Sequence, residues 1–164
     1  AMDLPFKTNY NFENLGDDRI GLIAASIYKF PNENCLVIDA GSCLTFDLIS
    51  STSLHIGGLI SPGLLVRYKS LYHYTNSLPH IKFENKETQI GKDTKSSIQS
   101  GILAGFIFEI NGQIEKFKRK TPNLRVILTG GDAKYLYKRI KNSIFAEQEF
   151  LASGLNNLLK CNNL

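Results

Sequence analysis

Residues 35–49 place a carboxylate, a glycine and a hydroxyl on a short turn between two apolar segments. Asp39 lies near the end of the first segment, and Gly41 and Ser42 form the turn that leads into the second. Glycine permits close backbone approaches that a side chain blocks. Successive backbone N–H groups in such a turn suit phosphate oxygens, and the carboxylate suits a cation. The same residues also suit a hairpin with a solvated turn. The turn alone does not distinguish this structure from a phosphate and cation site.

A second group of polar residues, Gly16-Asp17-Asp18-Arg19, lies where a loop enters a predicted helix. One of the carboxylates suits a general base, and Arg19 suits an anionic group of a substrate because a guanidinium binds a carboxylate bidentately. The alternative is structural, since acidic residues in a first helical turn interact favourably with the helix dipole.

Other polar residues carry weaker signals. The turn Thr129-Gly130-Gly131-Asp132 is common between a strand and a helix, and it also lines nucleotide sites. Asp47 is interpreted either as a second cation ligand beside Asp39 or as a surface residue of its strand. The three histidines are not spaced as metal ligands are, and we assign them no chemistry: His55, His73 and His80. Three tyrosines are interpreted as packing residues: Tyr68, Tyr72 and Tyr74.

Hydrophobic periodicity predicts an α/β protein. A helix is expected from Asp17 to just before Pro31, followed by three strands in an antiparallel meander with short polar turns. The predicted strands are Cys35–Ala40, Leu44–Ile49 and Leu54–Ile60. The pair Gly57-Gly58 in the third strand indicates a bulge or a close backbone approach.

The second half of the chain alternates helices with short strands. After a helix that Pro62-Gly63 opens and a loop over Asn76–Gly91, Asp93 or Thr94 is expected to cap a long helix. Gly101 and Gly105 in that helix are expected to let another helix or the sheet pack closely. The remaining expected elements are a strand Arg125–Thr129, a helix to about Lys141, a strand near Ser143–Phe145 and a helix Glu147–Lys160.

Composition favours one domain of 164 residues with 43% hydrophobic residues and a mild net charge of +4. The basic run Lys116–Lys120 closes a predicted helix, where cations complement the dipole, so no nucleic-acid partner is expected. Cys35 and Cys43 lie in apolar strands and are expected to be buried thiols in a reducing compartment, and Cys161 leaves an odd number. Without a long apolar run or a signal-peptide pattern, we expect no membrane partner and a cytoplasmic location.

Five motifs together resemble the type III pantothenate kinase family, which is also called Bvg accessory factor-like. They occur in the family's order: Gly16–Arg19, Val37–Asp47, Gly57–Gly63, Gly91–Thr94 and Thr129–Gly131. The resemblance implies an actin-like ATPase, ribonuclease H-like fold, the superfold of acetate and sugar kinases, Hsp70 and actin. It also implies ATP-dependent phosphorylation of pantothenate to 4'-phosphopantothenate, the first step of coenzyme A biosynthesis, by a homodimer.

The resemblance also implies roles for individual residues. Asp18 matches the family's proton acceptor, and Asp39 matches the ligand of a monovalent cation, K⁺ or NH₄⁺. Pantothenate contacts are implied for Tyr10, Gly16, Asp17, Asp18, Arg19 and Thr94. Contacts to ATP, which arrives with Mg²⁺, are implied for Gly41, Ser42, Gly130 and Gly131.

One family motif, an N-terminal Asp-x-Gly-Asn-Thr turn that cradles ATP phosphates, does not precede Asp18. We therefore expect residues 1–164 to form a single C-terminal kinase domain, inactive alone, whose N-terminal phosphate-binding domain is absent. The alternative is a non-catalytic regulatory or binding protein of the Bvg accessory type. An aspartic protease, suggested by the Asp-Ala-Gly-Ser turn, is disfavoured because that fold is nearly all β.

Overall fold

The computed structural model describes residues 3–86, 90–140, 144–145 and 149–162. A six-stranded mixed sheet forms the centre, in the order β1-β4-β3-β2-β5-β6. The strands are β1 (Lys7–Thr8), β2 (Cys35–Ala40), β3 (Cys43–Ile49), β4 (Leu54–Pro62), β5 (Arg125–Thr129) and β6 (Ile144–Phe145). Strands β2, β3 and β4 form the predicted antiparallel meander, whereas β1 pairs parallel with β4, β5 with β2, and β6 with β5.

Helices cover both faces of the sheet, which explains why β2 is apolar at nearly every position. The helices are α1 (Asp17–Lys29), α2 (Leu64–Tyr74), α3 (Thr94–Lys120), α4 (Ala133–Leu136) and α5 (Phe150–Cys161), with a short 3-10 helix at Phe12–Asn14. Alternate β2 residues belong to two buried clusters: Leu36 and Ile38 to one with α2 and α3, Val37 to one with α1 and α5. The α/β expectation is confirmed.

The long helix α3 begins where the sequence predicts. The Asp93 carboxylate accepts a hydrogen bond from the Ser96 backbone N–H at 2.8 Å, and the Ser96 side chain bonds the Asp93 backbone N–H in return. This reciprocal capping box satisfies two donors that a helix start leaves unpaired. The apolar positions Phe106, Ile110 and Ile114 are buried, as their spacing predicts.

Several local expectations are wrong. The helix expected to reach about Lys141 ends at Leu136, and the last helix begins at Phe150. Cys43 is exposed, because it lies at the first position of β3 beside the turn. Tyr72 and Tyr74 are exposed, so of the three tyrosines only Tyr68 is a core residue. Lys141, Ser143 and Glu147, at the bounds of other expected elements, lie outside the described residues.

Gly101 and Gly105 do not lie against a neighbouring element. An added Cβ atom at either position would meet no atom within 4 Å. Both glycines instead line an open groove between α2 and α3. The expected close packing is therefore not made within the described part of the chain.

None of the described helices combines the length and the apolar character that crossing a membrane requires.

Candidate active site

A bulge in β4 determines which of its side chains face α1. Asp47 pairs with Gly58 and Leu48 with Gly57, but Ile49 pairs with His55, so the register shifts by one residue. Because side chains alternate between the faces of a strand, the shift turns His55 instead of Ile56 toward the face of Asp47. Gly57 adopts φ +144°, a conformation that favours glycine. The predicted bulge is confirmed.

Arg19 on α1 and Asp47 on β3 form a buried ion pair on the face to which the bulge turns His55. Asp47 Oδ1 accepts from Arg19 Nη2 at 2.6 Å, and Asp47 Oδ2 accepts from Arg19 Nε at 3.0 Å. Arg19 is only 4% exposed and Asp47 only 1%. The hydrogen bonds to Asp47 raise the pKa of the guanidinium above its usual value, although burial opposes this. Asp47 is thus neither a surface residue nor a cation ligand in this arrangement.

Gly58 leaves the space that this pair occupies. An added Cβ atom there would lie 2.2 Å from the Phe46 carbonyl oxygen, 2.6 Å from Arg19 Nη2 and 2.8 Å from Asp47 Oδ1. The predicted close approach at Gly57-Gly58 is therefore also confirmed, and its cause is a side-chain ion pair as well as the neighbouring backbone.

His55 and Thr8 extend the pair into a longer buried network. His55 Nε2 lies 2.8 Å from Asp47 Oδ1, and His55 Nδ1 lies 2.8 Å from the Thr8 hydroxyl. The Tyr10 backbone N–H donates to the Thr8 oxygen at 3.0 Å, and the Tyr10 ring lies 4.8 Å from the guanidinium carbon of Arg19. His55 is therefore a buried hydrogen-bond partner of Asp47, which itself pairs with the predicted site residue Arg19.

One nitrogen of the guanidinium lies beside Tyr10 without a well-formed hydrogen bond. Arg19 Nη1 is buried and has no hydrogen-bond partner of ordinary geometry among the described residues, although interaction with the Tyr10 hydroxyl also helps to raise the pKa of Arg19. Asp47 occupies the Nε–Nη2 edge of the guanidinium, so a ligand carboxylate can bind only at the other edge, formed by Nη1 and the second N–H of Nη2. A buried unpaired donor costs free energy unless a ligand or a water satisfies it.

Asp17 and Asp18 are both exposed at the start of α1. Asp18 Oδ1 accepts the backbone N–H of Arg19 at 2.8 Å, which orients the carboxylate across the helix start. An added Cβ atom on Gly16 would lie 2.7 Å from this same oxygen, so the glycine leaves room for it. An accessible, oriented carboxylate is what a general base needs.

Asp39 lies half-buried at the end of β2, where the parallel strand β5 also ends. Asp39 pairs with Thr129 in register, which places Gly130 against the carboxylate. An added Cβ atom on Gly130 would lie 2.2 Å from Asp39 Oδ1, and this glycine has φ +96°. Burial, and then the charges of Asp18 and Asp47, raise the pKa of Asp39 to about 6. The Asp18 charge therefore acts on the carboxylate of the turn motif.

The turn after Asp39 is held by backbone contacts. The Gly41 N–H donates to the Cys43 carbonyl at 2.9 Å. The expectation that this N–H is open to phosphate oxygens is therefore wrong. The Gly63 N–H donates to the Ser42 carbonyl at 3.2 Å, and an added Cβ on Gly63 would collide with that carbonyl. The Ser42 side chain itself is exposed and accessible to a ligand.

Two predicted site residues stand apart. Among the described residues, no hydrogen bond, ion pair or ring contact joins Thr94 to the other predicted site residues; it is exposed at the first position of α3. Gly131 is exposed, and an added Cβ there would meet no atom within 4 Å. The described ranges also contain no group of three or more His, Cys, Asp or Glu side chains that could hold a metal ion.

Comparison with known proteins finds similar sequences and a similar structure. Residues 1–116 match the family model of type III pantothenate kinase. A protein of that name from Flavobacterium psychrophilum is 45% identical over 155 residues, covering 94% of this chain and 64% of the relative. Another from Christiangramia forsetii is 45% identical, covering 97% and 66%. The chain thus spans about two thirds of the length of these curated relatives.

A solved structure of a conserved Baf-family protein from Campylobacter jejuni has a similar fold. Its TM-score is 0.63 at 27% sequence identity, and the match covers 97% of this chain and 70% of that protein. The similarity therefore extends over nearly all of the chain and is not confined to the five motifs.

Proposed function

Because the chain belongs to the type III pantothenate kinase family, we propose that it contributes to an enzyme that transfers the terminal phosphoryl group of ATP to pantothenate. An actin-like ATPase fold and residues 1–164 as one kinase domain are part of this proposal. A non-catalytic Baf-type regulator is not favoured, since the curated relatives of high coverage are named as kinases.

One observation supports the proposal above others. Burial first, and then the charge of Asp18 in the Gly-Asp-Asp-Arg motif, raise the pKa of Asp39 in the Asp-Ala-Gly-Ser turn. Two motifs from separate elements therefore act on one another electrostatically. A phosphoryl transfer site needs a base for the acceptor hydroxyl close to the cations and donors that hold the phosphates.

In this proposal, Asp18 accepts the proton of the pantothenate hydroxyl. The carboxylate is exposed and oriented by the Arg19 backbone N–H. Arg19 holds the pantothenate carboxylate through the Nη1 side of its guanidinium, and Tyr10 packs beside the guanidinium. Gly16 leaves space for the Asp18 carboxylate, and Asp17 and Thr94 complete the substrate contacts.

The nucleotide part of the proposal involves the two turns beside Asp39. ATP with Mg²⁺ would contact Ser42 and Gly41 on one turn, and Gly130 and Gly131 on the other. A monovalent cation, K⁺ or NH₄⁺, fits Asp39, because this half-buried carboxylate has no ion pair among the described residues. When bound, the cation supplies the positive charge that lets phosphate oxygens approach a carboxylate.

We also propose a homodimer that uses the groove between α2 and α3. Both helices of the groove also carry exposed apolar side chains, Leu65 of α2 at 53% and Phe108 of α3 at 73%. Exposed apolar surface of this kind marks interaction sites, and closed two-fold dimers are the commonest homo-oligomers. A second copy would bring in Thr94, which flanks the groove at the start of α3. A cytoplasmic location fits the three free thiols.

The proposed activity is tested by a coupled assay that measures ADP release from the complete gene product on adding pantothenate. We expect turnover in potassium that depends on pantothenate. ADP release that is independent of pantothenate, or none at saturating ATP and pantothenate, would contradict the proposal.

A further inference from the structure

Five residues form a closed ring of contacts that includes the guanidinium of Arg19. The contacts run from Arg19 to Asp47, from Asp47 to His55, from His55 to Thr8, from Thr8 to the Tyr10 backbone, and from the Tyr10 ring back to Arg19. Three of these residues are nearly inaccessible: Arg19 is 4% exposed, Asp47 1% and His55 0%. A buried polar chain of this kind persists only when its members satisfy one another.

The chemistry of the groups sets the direction of the hydrogen bonds. An ionised carboxylate only accepts hydrogen bonds, so His55 Nε2 carries the proton that points to Asp47. In a neutral imidazole, Nδ1 is then an acceptor and takes the proton of the Thr8 hydroxyl. The Thr8 oxygen in turn accepts the Tyr10 backbone N–H. Every bond along this chain is directed toward Asp47, which Arg19 meets from the other side.

The backbone is shaped to build the chain. The β4 bulge turns His55 toward Asp47, and the parallel pairing of Thr8 with His55 brings the hydroxyl to the imidazole. Gly58 leaves room for the ion pair. These three features of β1 and β4 therefore serve a single side-chain arrangement, in which Thr8 and His55 reach Arg19 through Asp47.

We propose that Thr8 and His55 are positioning residues that act through Asp47 to hold Arg19 so that the Nη1 side of its guanidinium faces the carboxylate of the ligand. Asp47 occupies the Nε–Nη2 edge, and Nη1 is buried without a hydrogen-bond partner of ordinary geometry among the described residues. The anion consequently meets the edge formed by Nη1 and the second N–H of Nη2, in a direction that Asp47 fixes. The identity of that anion, pantothenate, rests on the proposed function.

Two variants of Thr8 separate positioning from general stability. Thr8→Val removes the hydroxyl at nearly constant shape, and Thr8→Ser retains it. His55→Ala removes the centre of the chain, and Leu48→Val, on the opposite face of β3, perturbs the core without touching the chain. The affinity of each complete gene product is measured for pantothenate and for pantothenyl alcohol, in which a hydroxymethyl group replaces the carboxylate.

We expect wild type, Thr8→Ser and Leu48→Val to prefer pantothenate over the alcohol by the same ratio. His55→Ala should lower this ratio about tenfold, because the Arg19 guanidinium is then held less firmly and its charged hydrogen bond to the carboxylate weakens. Thr8→Val should also lower the ratio. An unchanged ratio in both variants, or equal losses in Thr8→Val and Thr8→Ser, would overturn the inference.

A readout without ligand separates this inference from the proposed function. The ¹⁵N-detected exchange of the Arg19 Nε proton with water should be slow in wild type and at least about tenfold faster in His55→Ala, because Asp47 then holds the guanidinium less rigidly. Equal exchange rates would overturn the positioning role. If wild type binds neither ligand, the proposed substrate is wrong, and the exchange rates still decide whether His55 positions Arg19.

Discussion

A Cβ atom on Gly58 would lie 2.6 Å from Nη2 of Arg19, well inside the contact distance of the two atoms. The guanidinium of α1 thus occupies the volume that any other residue of β4 would fill at this position. Asp47 pairs with Gly58 across the strands, and Gly58 has no side chain. The Arg19 side chain fills that space and contacts the Asp47 carboxylate. Both the ion pair and the β3 backbone therefore require a glycine here, since the added Cβ would also lie 2.2 Å from the Phe46 carbonyl oxygen.

Replacing Gly58 with alanine should destabilise the protein by about 1–3 kcal/mol, since it forces atoms into a filled space. Gly112→Ala is the matched control, because an added Cβ there meets nothing within 4 Å and the residue lies within α3. The control should stabilise by about 0.5–1 kcal/mol, as alanine is the better helix former. Urea unfolding measures both, and equal effects at the two sites would contradict the packing argument.

Asp47→Asn should lower the free energy of unfolding by about 3–5 kcal/mol, because it leaves the buried Arg19 charge without a counterion. Glu33→Gln is the control: Glu33 pairs with Arg125, but both side chains are about one third exposed, so water screens the pair. Its effect should be far smaller. Chemical denaturation at pH 7 compares the two, and similar losses would show that burial of the Arg19 pair carries no special weight.

Much of the fold follows from local sequence signals. The meander, the capped start of α3 and the bulge at Gly57 were predictable because each depends on residues within a few positions of one another. The end of α4 at Leu136 was not, since Tyr137 keeps helical backbone angles and no local stop signal marks the position. The exposure of Cys43 was not predicted, because the apolar residues after it indicate a buried strand although Cys43 itself borders the turn.

The site was predicted in its parts but not in its connections. Asp18, Arg19 and Asp39 were recognisable from motifs, whereas the pairing of Arg19 with Asp47 joins residues 28 positions apart on a helix and a strand. His55 gave no signal because an isolated histidine carries no spacing rule. Gly57-Gly58 was the available clue, since a bulge re-aims the side chains beside it.

Asp39 should make stability fall as pH rises from about 4 to 6. Burial, with Asp18 and Asp47, raises its folded-state pKa from 3.8 to about 6, so in that range the folded protein binds more protons than the unfolded chain. The free-energy cost of ionising Asp39 in the folded protein is fully present above pH 6. The melting temperature of Asp39→Asn minus that of wild type should therefore increase across this window and level off. A constant difference would contradict the raised pKa.

The proposed cation predicts a second effect at Asp39. At pH 7, where the carboxylate is ionised, potassium chloride should raise the melting temperature of wild type relative to tetramethylammonium chloride at equal ionic strength. Asp39→Asn should show no such difference between the two salts. An equal response of wild type and the variant would exclude Asp39 as the cation ligand.

The α2–α3 groove predicts how the assembly can be broken. Phe108→Glu places a charge on a 73% exposed apolar side chain of α3 and should convert a dimer to a monomer in sedimentation velocity at micromolar protein. Glu115→Lys is the control, a charge change on an exposed residue of the same helix away from the groove. A monomeric wild type, or a dimeric Phe108→Glu, would place the interface elsewhere or remove it.

Asp18→Asn tests the general base in the complete gene product. Losing the proton acceptor should lower turnover by about 10²–10⁴-fold, while pantothenate affinity changes little because the Arg19 network stays intact. Asp17→Asn is the comparison: it removes the neighbouring charge of the same helical turn and, as a proposed substrate contact, should weaken pantothenate binding more than it lowers turnover. Turnover and affinity are measured separately, by ADP release and by calorimetry. If Asp18→Asn weakened binding in proportion to turnover, Asp18 would be a substrate contact and not the base.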